Sequence, residues 1–167
     1  MNFRPRRSVL YMPGSNARAI EKARTLAVDG VILDLEDAVA PDLKEQARKQ
    51  VADAVKAGGF GGREVFIRVN GIDTPWHADD LKAAAHAGPD AILVPKISEV
   101  EQLERVGQRL LDMKIVLKTR IWAMIETPQA IFNINALAAE AHDSETRLAG
   151  FVMGTNDLAK EIGRAHV

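Results

Sequence analysis

The chain has 167 residues, of which 47% are hydrophobic and 27% charged, and its formal net charge is -1. This balance is typical of a globular protein with a core, and it gives no basic surface for nucleic acid. The absence of Cys excludes a disulfide framework, a thiolate nucleophile and a zinc-thiolate site, and it fits a reducing, cytoplasmic environment. No apolar run approaches the length of a membrane span, and the basic N-terminus precedes too short an apolar stretch for a signal peptide.

Short apolar runs alternate with segments of helical character along the whole chain. The runs predict strands at residues 8–12, 30–35, 64–69, 91–94, 121–125 and 148–153. Capping residues and prolines predict helices at about 16–27, 41–57, 75–87, 98–112 and 128–140, and the chain ends within a sixth. Repeated units of this kind form a parallel sheet, either doubly wound or closed as a barrel. No linker marks a boundary, so residues 1–167 are predicted to form a single domain.

Polar or charged residues follow nearly every predicted strand. They are Asn16, Glu36, Arg68, Lys96, Glu126 and Asp157. A ring of polar strand ends suits a (β/α)8 TIM barrel, whose catalytic residues come from several strands, whereas a doubly wound sheet concentrates its site at one switch point. We therefore predict the barrel. Because a complete barrel takes about 250 residues, we expect an N-terminal fragment with about six of the eight units, with completion by a second subunit or an open sheet as alternatives.

Two carboxylates at the ends of consecutive strands are the candidate metal ligands. Glu126 ends the apolar run 121–125, Asp157 follows the sixth strand, and neighbouring strands lie about 4.8 Å apart. Two carboxylates, with the other positions left to water and substrate, are the usual way to hold Mg²⁺. Arg68, two strands away, offers a planar fork that suits a substrate carboxylate. The alternative for Arg68 is an internal salt bridge to Glu36 or Asp37.

Six segments of the sequence, in this order, resemble those of one known family. They are RSVLYMPGSNARAIEKA, ILDLEDAVAPDLKEQAR, FIRVNGIDTPW, ILVPKIS, AMIETPQAI and GTNDLAKE. Together they resemble the citrate lyase β-subunit-like family of CoA-ester lyases in the HpcH/HpaI aldolase superfamily, which includes malyl-CoA lyases. The resemblance implies a (β/α)8 barrel that binds Mg²⁺, with Mn²⁺ as a substitute, and that cleaves or forms a C–C bond between an acyl-CoA thioester and a 2-oxo acid. It also implies a homo-oligomer, as a trimer or a multiple of trimers.

The resemblance assigns roles to individual residues. Glu126 and Asp157 correspond to the Mg²⁺ ligands and Arg68 to the anchor of the substrate carboxylate, and these three are predicted to be catalytic. Glu36 and Asp37 are expected to orient metal-bound water. The predicted substrate-binding residues are Tyr11, Asn16, Lys22, Arg68, Glu126 and Asn156. The general acid/base of the family is an aspartate near the C-terminus, outside this sequence, so we expect the isolated chain to bind metal weakly and to turn over little or no substrate.

Other interpretations of the sequence stay open. One is a metal-dependent aldolase that acts on free 4-hydroxy-2-oxo acids without CoA, and another is a catalytically incomplete protein that only binds. The acyl carrier is either CoA or a protein-bound prosthetic group. Among the remaining residues, Lys96 is expected to pair with a neighbouring acid, Trp122 and Met124 to lie in the core, and Arg4, Arg6 and Arg7 to form a solvated arm.

Overall fold

The computed structural model describes residues 5–115 and 118–163, and these residues form one sheet of six parallel strands. The strands are Val9–Pro13 (β1), Gly30–Asp34 (β2), Glu64–Arg68 (β3), Ala91–Val94 (β4), Arg120–Ile125 (β5) and Leu148–Met153 (β6). Their spatial order is β1-β2-β3-β4-β5-β6, and every neighbouring pair is parallel. A doubly wound sheet reverses its strand order at a switch point, so the sequential order confirms the prediction of a partial (β/α) barrel.

Helices connect the strands much as the sequence predicts, with differences at their ends. They are Ala17–Ala23 (α1), Lys44–Ala57 (α2), His77–Ala87 (α3), Val100–Asp112 (α4), Pro128–Phe132 (α5), Ile134–Ala139 (α6) and Thr155–Glu161 (α7). The predicted helix 128–140 is divided at Asn133, and the helix predicted to end near residue 27 ends at Ala23. Glu99, not Ser98, caps α4, because its side chain forms a capping box with Gln102. None of the helices within the described ranges has the length and apolarity needed to cross a bilayer.

The apolar residues pack in two layers, one on each face of the sheet. The larger layer fills the space between the strands and the surrounding helices. The smaller layer lies on the inner face, where Phe66, Leu93 and Met124 are buried and Trp122 packs against them. The rings of Phe66 and Trp122 meet edge to face with centroids 4.8 Å apart. The prediction that Trp122 and Met124 belong to the core is confirmed.

The described part of the N-terminal arm, residues 5–8, is exposed as the sequence predicts, and ion pairs also hold it against the sheet. Arg6 forms a two-pronged ion pair with Glu64, and its guanidinium lies 4.9 Å from the centroid of the Trp122 ring. Arg7 pairs with Asp29, with Nη2 and Oδ1 2.9 Å apart. Arg4 lies outside the described residues. These contacts fix the arm against the amino-terminal ends of β2 and β3, on the side of the sheet away from the predicted site.

Candidate functional site

A cleft of about 340 Å³ lies at the carboxyl ends of the strands. It brings together six predicted site residues, which are Tyr11, Asp37, Arg68, Glu126, Asn156 and Asp157. Tyr11 lies within β1, Arg68 ends β3, Asp37 and Glu126 follow β2 and β5, and Asn156 and Asp157 lie at the start of α7. Residues far apart in the chain therefore share one concave surface, at the edge where barrel proteins place their ligands.

Arg68 is held by carboxylates from the neighbouring strand. Its Nε and Nη2 donate to the two oxygens of Asp34 at 2.7 and 2.6 Å, and Nη1 lies 2.8 Å from Glu36 Oε2. Asp37 is more distant, at 3.6 Å. Burial acts to lower the pKa of Arg68, but the hydrogen bonds and charge of Asp34 outweigh it and raise the pKa. The internal salt bridge expected as the alternative role of Arg68 is thus present.

Asp34 is the partner that the sequence interpretation missed. It is 1% exposed, and besides Arg68 it accepts hydrogen bonds from the backbone N–H groups of Glu36 and Ala38. The parallel register pairs Asp34 directly with Arg68 at the last position of β2 and β3. The opposite charges of Asp34 and Arg68, each near the end of its predicted strand, mark them as candidates for a pair, but only the register in the structure shows that they meet.

Glu36 is a buried carboxylate with one oxygen that accepts no hydrogen bond from the described residues. It is 7% exposed, and its Oε2 makes no hydrogen bond among the described residues, because the contact with Arg68 lacks hydrogen-bond geometry. Burial raises the pKa of Glu36 to about 7, with Arg68 opposing this effect and Asp37 and Glu126 adding to it. Glu36 therefore sits behind Arg68 with capacity to accept a further hydrogen bond.

Glu126 is fixed on two sides at the end of β5. Its Oε1 accepts a hydrogen bond of 2.8 Å from the backbone N–H of Lys96, a residue in the left-handed conformation with φ of 57°. Its Oε2 lies against Gly154, where an added Cβ would be only 2.4 Å away. Glu126 is 2% exposed, and burial raises its pKa, while the Lys96 hydrogen bond opposes the rise and the charge of Asp157 adds to it. Lys96 thus meets the acid through its backbone, not through the ammonium group expected from the sequence.

Asp157 lies in the first turn of α7, beside Glu126 in the cleft. Its Oδ1 accepts a hydrogen bond of 2.9 Å from Nζ of Lys160, which also lines the cleft. The sequence interpretation did not single out Lys160, although it stands one turn after Asp157, as i and i+3 do on a helix face. Among residues 5–115 and 118–163, no three His, Asp or Glu side chains group as a complete metal site, so a cation here needs water or substrate oxygens as well.

The other predicted substrate-binding residues have different surroundings. The Tyr11 ring lies 5.1 Å from the guanidinium carbon of Arg68 and covers it from the β1 side. Asn16 caps α1, since its Oδ1 accepts from the Ala19 N–H at 3.0 Å. Lys22 is exposed in the last turn of α1. Neither Asn16 nor Lys22 lines the cleft, and their substrate contacts stay predictions.

The fold and the site define a (β/α)-barrel protein with an acidic cleft at the carboxyl edge of its sheet. Residues 7–166 match the family model described as HpcH/HpaI aldolase/citrate lyase, and the chain belongs to this family. The resemblance drawn from the sequence segments is thereby confirmed.

Characterised relatives of this chain are enzymes of CoA-ester chemistry. The chain is 49% identical over 159 residues to a (3S)-malyl-CoA thioesterase of Cereibacter sphaeroides, covering 95% of this chain and 52% of the relative. It is 33% identical over 169 residues to an L-malyl-CoA/beta-methylmalyl-CoA lyase of the same species, covering 96% and 51%. The CitE protein of Mycobacterium tuberculosis, solved with magnesium, acetoacetate and coenzyme A, aligns with a TM-score of 0.73 at 26% identity, over 95% of this chain and 52% of that one. The chain spans about half the length of the curated relatives it matches.

Proposed function

We propose that the protein acts on 3-hydroxyacyl-CoA esters of the malyl-CoA, citramalyl-CoA or citryl type, and that it uses Mg²⁺ to cleave or form their C–C bond. The products of cleavage are an acyl-CoA and an oxo acid. The observation that carries this proposal is the pairing of buried Glu126 with Asp157 at one end of the cleft that also holds Arg68. Its membership of a family with CoA-ester lyases supports the same conclusion.

The donor set of the cleft fits a hard divalent cation. Glu126 and Asp157 provide carboxylate oxygens, the ligands that Mg²⁺ and Mn²⁺ prefer, and Mg²⁺ usually keeps several waters in addition. Gly154 leaves free the space beside Glu126 Oε2 that any side chain would fill. Bound Mg²⁺ would supply Lewis-acid polarisation of the substrate's hydroxyl or oxo oxygen. Asp37 lines the cleft and is placed to accept hydrogen bonds from water there, whereas Glu36 is buried behind Arg68 and does not line the cleft.

Arg68 has one nitrogen to offer to a substrate carboxylate. Nε and Nη2 are engaged by Asp34, whereas Nη1 contacts Glu36 and lies 3.8 Å from Sδ of Met124, a residue that lines the cleft. The Tyr11 ring, on β1, lies 5.1 Å from the guanidinium carbon of Arg68. In this arrangement Arg68 binds and orients the acid portion of the substrate, next to the carboxylates proposed to hold the metal.

The bond changes of the proposed reaction balance without a redox partner. In cleavage, the hydroxyl group loses its proton as its carbon becomes a carbonyl, and the electrons of the C–C bond pass to the α-carbon of the acyl-CoA. A proton then adds to this carbon. The cleft residues described above bind and orient the substrate, and the proton transfers are assigned by resemblance to an aspartate outside this sequence.

The test is to supply (3S)-malyl-CoA to a protein in which this sequence continues through the C-terminal aspartate that the resemblance implies, and to follow glyoxylate and acetyl-CoA with and without Mg²⁺; the isolated chain should form little or none of either product. We expect both products to form together in the presence of Mg²⁺ and to be lost after chelation. Glu126→Gln should abolish their formation, whereas Glu145→Gln, at an exposed position away from the cleft, should not. Product formation that survives Glu126→Gln would contradict the metal assignment.

A second candidate is hydrolysis of the thioester, which the 49% identity to a (3S)-malyl-CoA thioesterase favours. In hydrolysis, water attacks the thioester carbonyl and the CoA thiolate leaves, so the products are malate and free CoA. A thiol reagent detects this CoA without background, because the protein has no Cys. Free thiol that appears in step with malate, without glyoxylate, would assign the protein to the hydrolytic reaction.

A binding measurement distinguishes the CoA-ester reactions from those of a CoA-independent aldolase. A ligand that binds only the native state raises thermal stability in proportion to the logarithm of its concentration. We expect acetyl-CoA with Mg²⁺ to raise the melting temperature more than acetate with Mg²⁺ at equal concentration. Equal shifts would favour an aldolase of free acids.

A further inference from the structure

A second buried polar cluster lies behind the cleft, where the ends of β2 and β3 meet the first turns of α2 and α3. Its members are Lys44, Arg48, Asn70, His77 and Asp80. Four of them are almost fully buried, with Lys44 6%, Asn70 2%, His77 1% and Asp80 0% exposed. None of them lines the cleft, so substrate contact does not account for the burial of these polar side chains.

Lys44 uses all three hydrogens of its ammonium group inside this cluster. Nζ donates to the carbonyl oxygens of Leu35 and Glu36 at 2.8 and 2.7 Å and to Oδ1 of Asn70 at 2.7 Å. The Trp76 ring covers the same group, with its centroid 5.2 Å from Nζ. Lys44 therefore grips two consecutive carbonyl groups of the segment 35–39, which carries Glu36 and Asp37 into the site.

This placement of a cation carries a cost in free energy. Lys44 is the first residue of α2, where the helix dipole disfavours a positive charge. Burial lowers its pKa, although the charges of Asp34, Asp80, Glu36 and Asp37 oppose this effect, and its direct acceptors are neutral oxygens. Removing an ammonium group from water is costly, and apolar residues of similar volume often replace buried charges without loss of stability. A requirement for the geometry of the segment 35–39 explains why a lysine stands here.

Asn70 extends the same connection to the strand that carries Arg68. Its Nδ2 donates to the Leu35 carbonyl at 2.9 Å and to Asp80 Oδ2 at 2.6 Å, so Leu35 O is held by both Lys44 and Asn70. Asp80 is held in turn by Arg48 at 2.7 Å. The cluster thus joins the end of β2 to the end of β3, two residues past Arg68.

We propose that Lys44 is a positioning residue that holds the segment 35–39 so that Glu36 meets Arg68 at the rear of the cleft. The inference rests on the proposed function, because the site that Lys44 serves is the one described above. A displacement of about 1 Å at a reacting centre can cost about 10²-fold in rate. Loss of the Lys44 contacts should therefore lower kcat far more than it changes metal binding, which depends on β5 and α7.

The test replaces the side chain chemically, which the absence of Cys makes selective. Lys44→Cys is alkylated in the unfolded state with 2-bromoethylamine, which restores an ammonium group at nearly the length of lysine, or with 1-bromopropane, which gives a neutral chain of the same length. Both products are refolded. Lys49→Cys, treated in the same two ways, is the control, because the Lys49 side chain is 85% exposed on the same helix.

In the protein that continues through the C-terminal aspartate, we expect the propyl form to lose about 10²-fold in kcat for malyl-CoA cleavage and the aminoethyl form to recover most of it. The affinity for Mn²⁺, followed by electron paramagnetic resonance, should be equal in the two proteins. Equal kcat in the two proteins would overturn the inference, as would a loss of kcat and of Mn²⁺ affinity in the same proportion. If the propyl protein does not refold, Lys44→Gln takes its place with a smaller expected loss of kcat, and an unchanged kcat there would also overturn the inference.

A readout that needs no activity separates this inference from the proposed function. Amide hydrogen exchange at residues 35–39 should be about tenfold faster in the propyl protein than in the aminoethyl protein, with unchanged exchange in β5. If the protein that continues through the C-terminal aspartate cleaves no malyl-CoA, the proposed reaction fails, and the exchange experiment on the isolated chain still decides the role of Lys44. Equal exchange in both proteins would show that Lys44 does not hold this segment.

Discussion

The Glu36→Gln variant should become more stable relative to the unaltered protein as the pH rises from acid to alkaline. The carboxyl group of Glu36 is 7% exposed, and burial raises its pKa from 4.5 to about 7. Because the folded pKa exceeds the unfolded value, the folded state binds more protons between pH 4.5 and pH 7. The stability contributed by Glu36 is therefore complete below this window and falls as pH rises through it.

The size of the effect follows from the shift. The difference between a pKa of 4.5 and one of about 7 corresponds to about 3.5 kcal/mol, at about 1.4 kcal/mol for each pKa unit. Between pH 5 and pH 8 the linkage relation gives about 2.5 kcal/mol. Glutamine has no proton to lose, so Glu36→Gln removes this dependence, whatever constant energy it adds or subtracts through its contact with Arg68.

The assay is urea unfolding of both proteins at pH 5 and pH 8, with chelator present so that no metal binds. The free energy of unfolding of Glu36→Gln minus that of the unaltered protein should rise by about 2.5 kcal/mol from pH 5 to pH 8, which is about 5–10 °C in melting temperature. Glu45→Gln, an exposed position in α2, controls for loss of a carboxylate near the site. A difference that is constant across this range would refute the conclusion that Glu36 is held near neutrality by burial.

Three further substitutions test the cleft and the amino-terminal ends of the strands. Gly154→Ala places a Cβ against Glu126 Oε2, so the affinity for Mg²⁺ should fall by about 10- to 100-fold in a calorimetric titration. Gly62→Ala, at a position with open space around it, should leave this affinity unchanged. Arg68→Lys loses the two-pronged pairing with its neighbouring strand, so urea unfolding should show a loss of about 2 kcal/mol and pyruvate binding should weaken. Arg6→Met removes the ion pair with Glu64 and the contact with the Trp122 ring, which should lower the free energy of unfolding by about 1 kcal/mol in the same measurement. An unchanged free energy of unfolding in Arg68→Lys or in Arg6→Met would contradict the contacts described for that residue.

The order of strands and helices was predictable because buried strands leave short apolar runs in the sequence. The strands β4 and β6 begin and end where the sequence predicts. β4 is buried on both faces and is therefore continuously apolar, whereas β6 is an apolar run that is only partly buried. The strand-end positions of Arg68, Glu126 and Asp157 followed from the same signal. Helix ends were predicted less well, because α5 and α6 are divided at Asn133 and no Gly or Pro follows at that point.

The contacts within the site were not predictable, because they depend on register and on the backbone of single residues. Asp34 pairs with Arg68 only because β2 and β3 align without a shift, which the sequence of either strand does not encode. The carboxylate of Glu126 is fixed by an N–H that the left-handed conformation of Lys96 provides, and Lys is not a residue type that predicts this conformation. The burial of Lys44 likewise depends on carbonyl groups brought together by two different strands.

The charges that line the cleft should couple the binding of a cation to the binding of an anionic acid. The cleft is lined by three carboxylates, those of Asp37, Glu126 and Asp157, and by two cations, Arg68 and Lys160. Asp34 and Glu36 already oppose most of the charge of Arg68. An anionic oxo acid entering this cleft alone meets a negative potential, and a divalent cation between Glu126 and Asp157 reverses it locally. Binding of the metal and of the acid should therefore be coupled, and by reciprocity pyruvate should raise the affinity for Mg²⁺ by the same factor as Mg²⁺ raises the affinity for pyruvate.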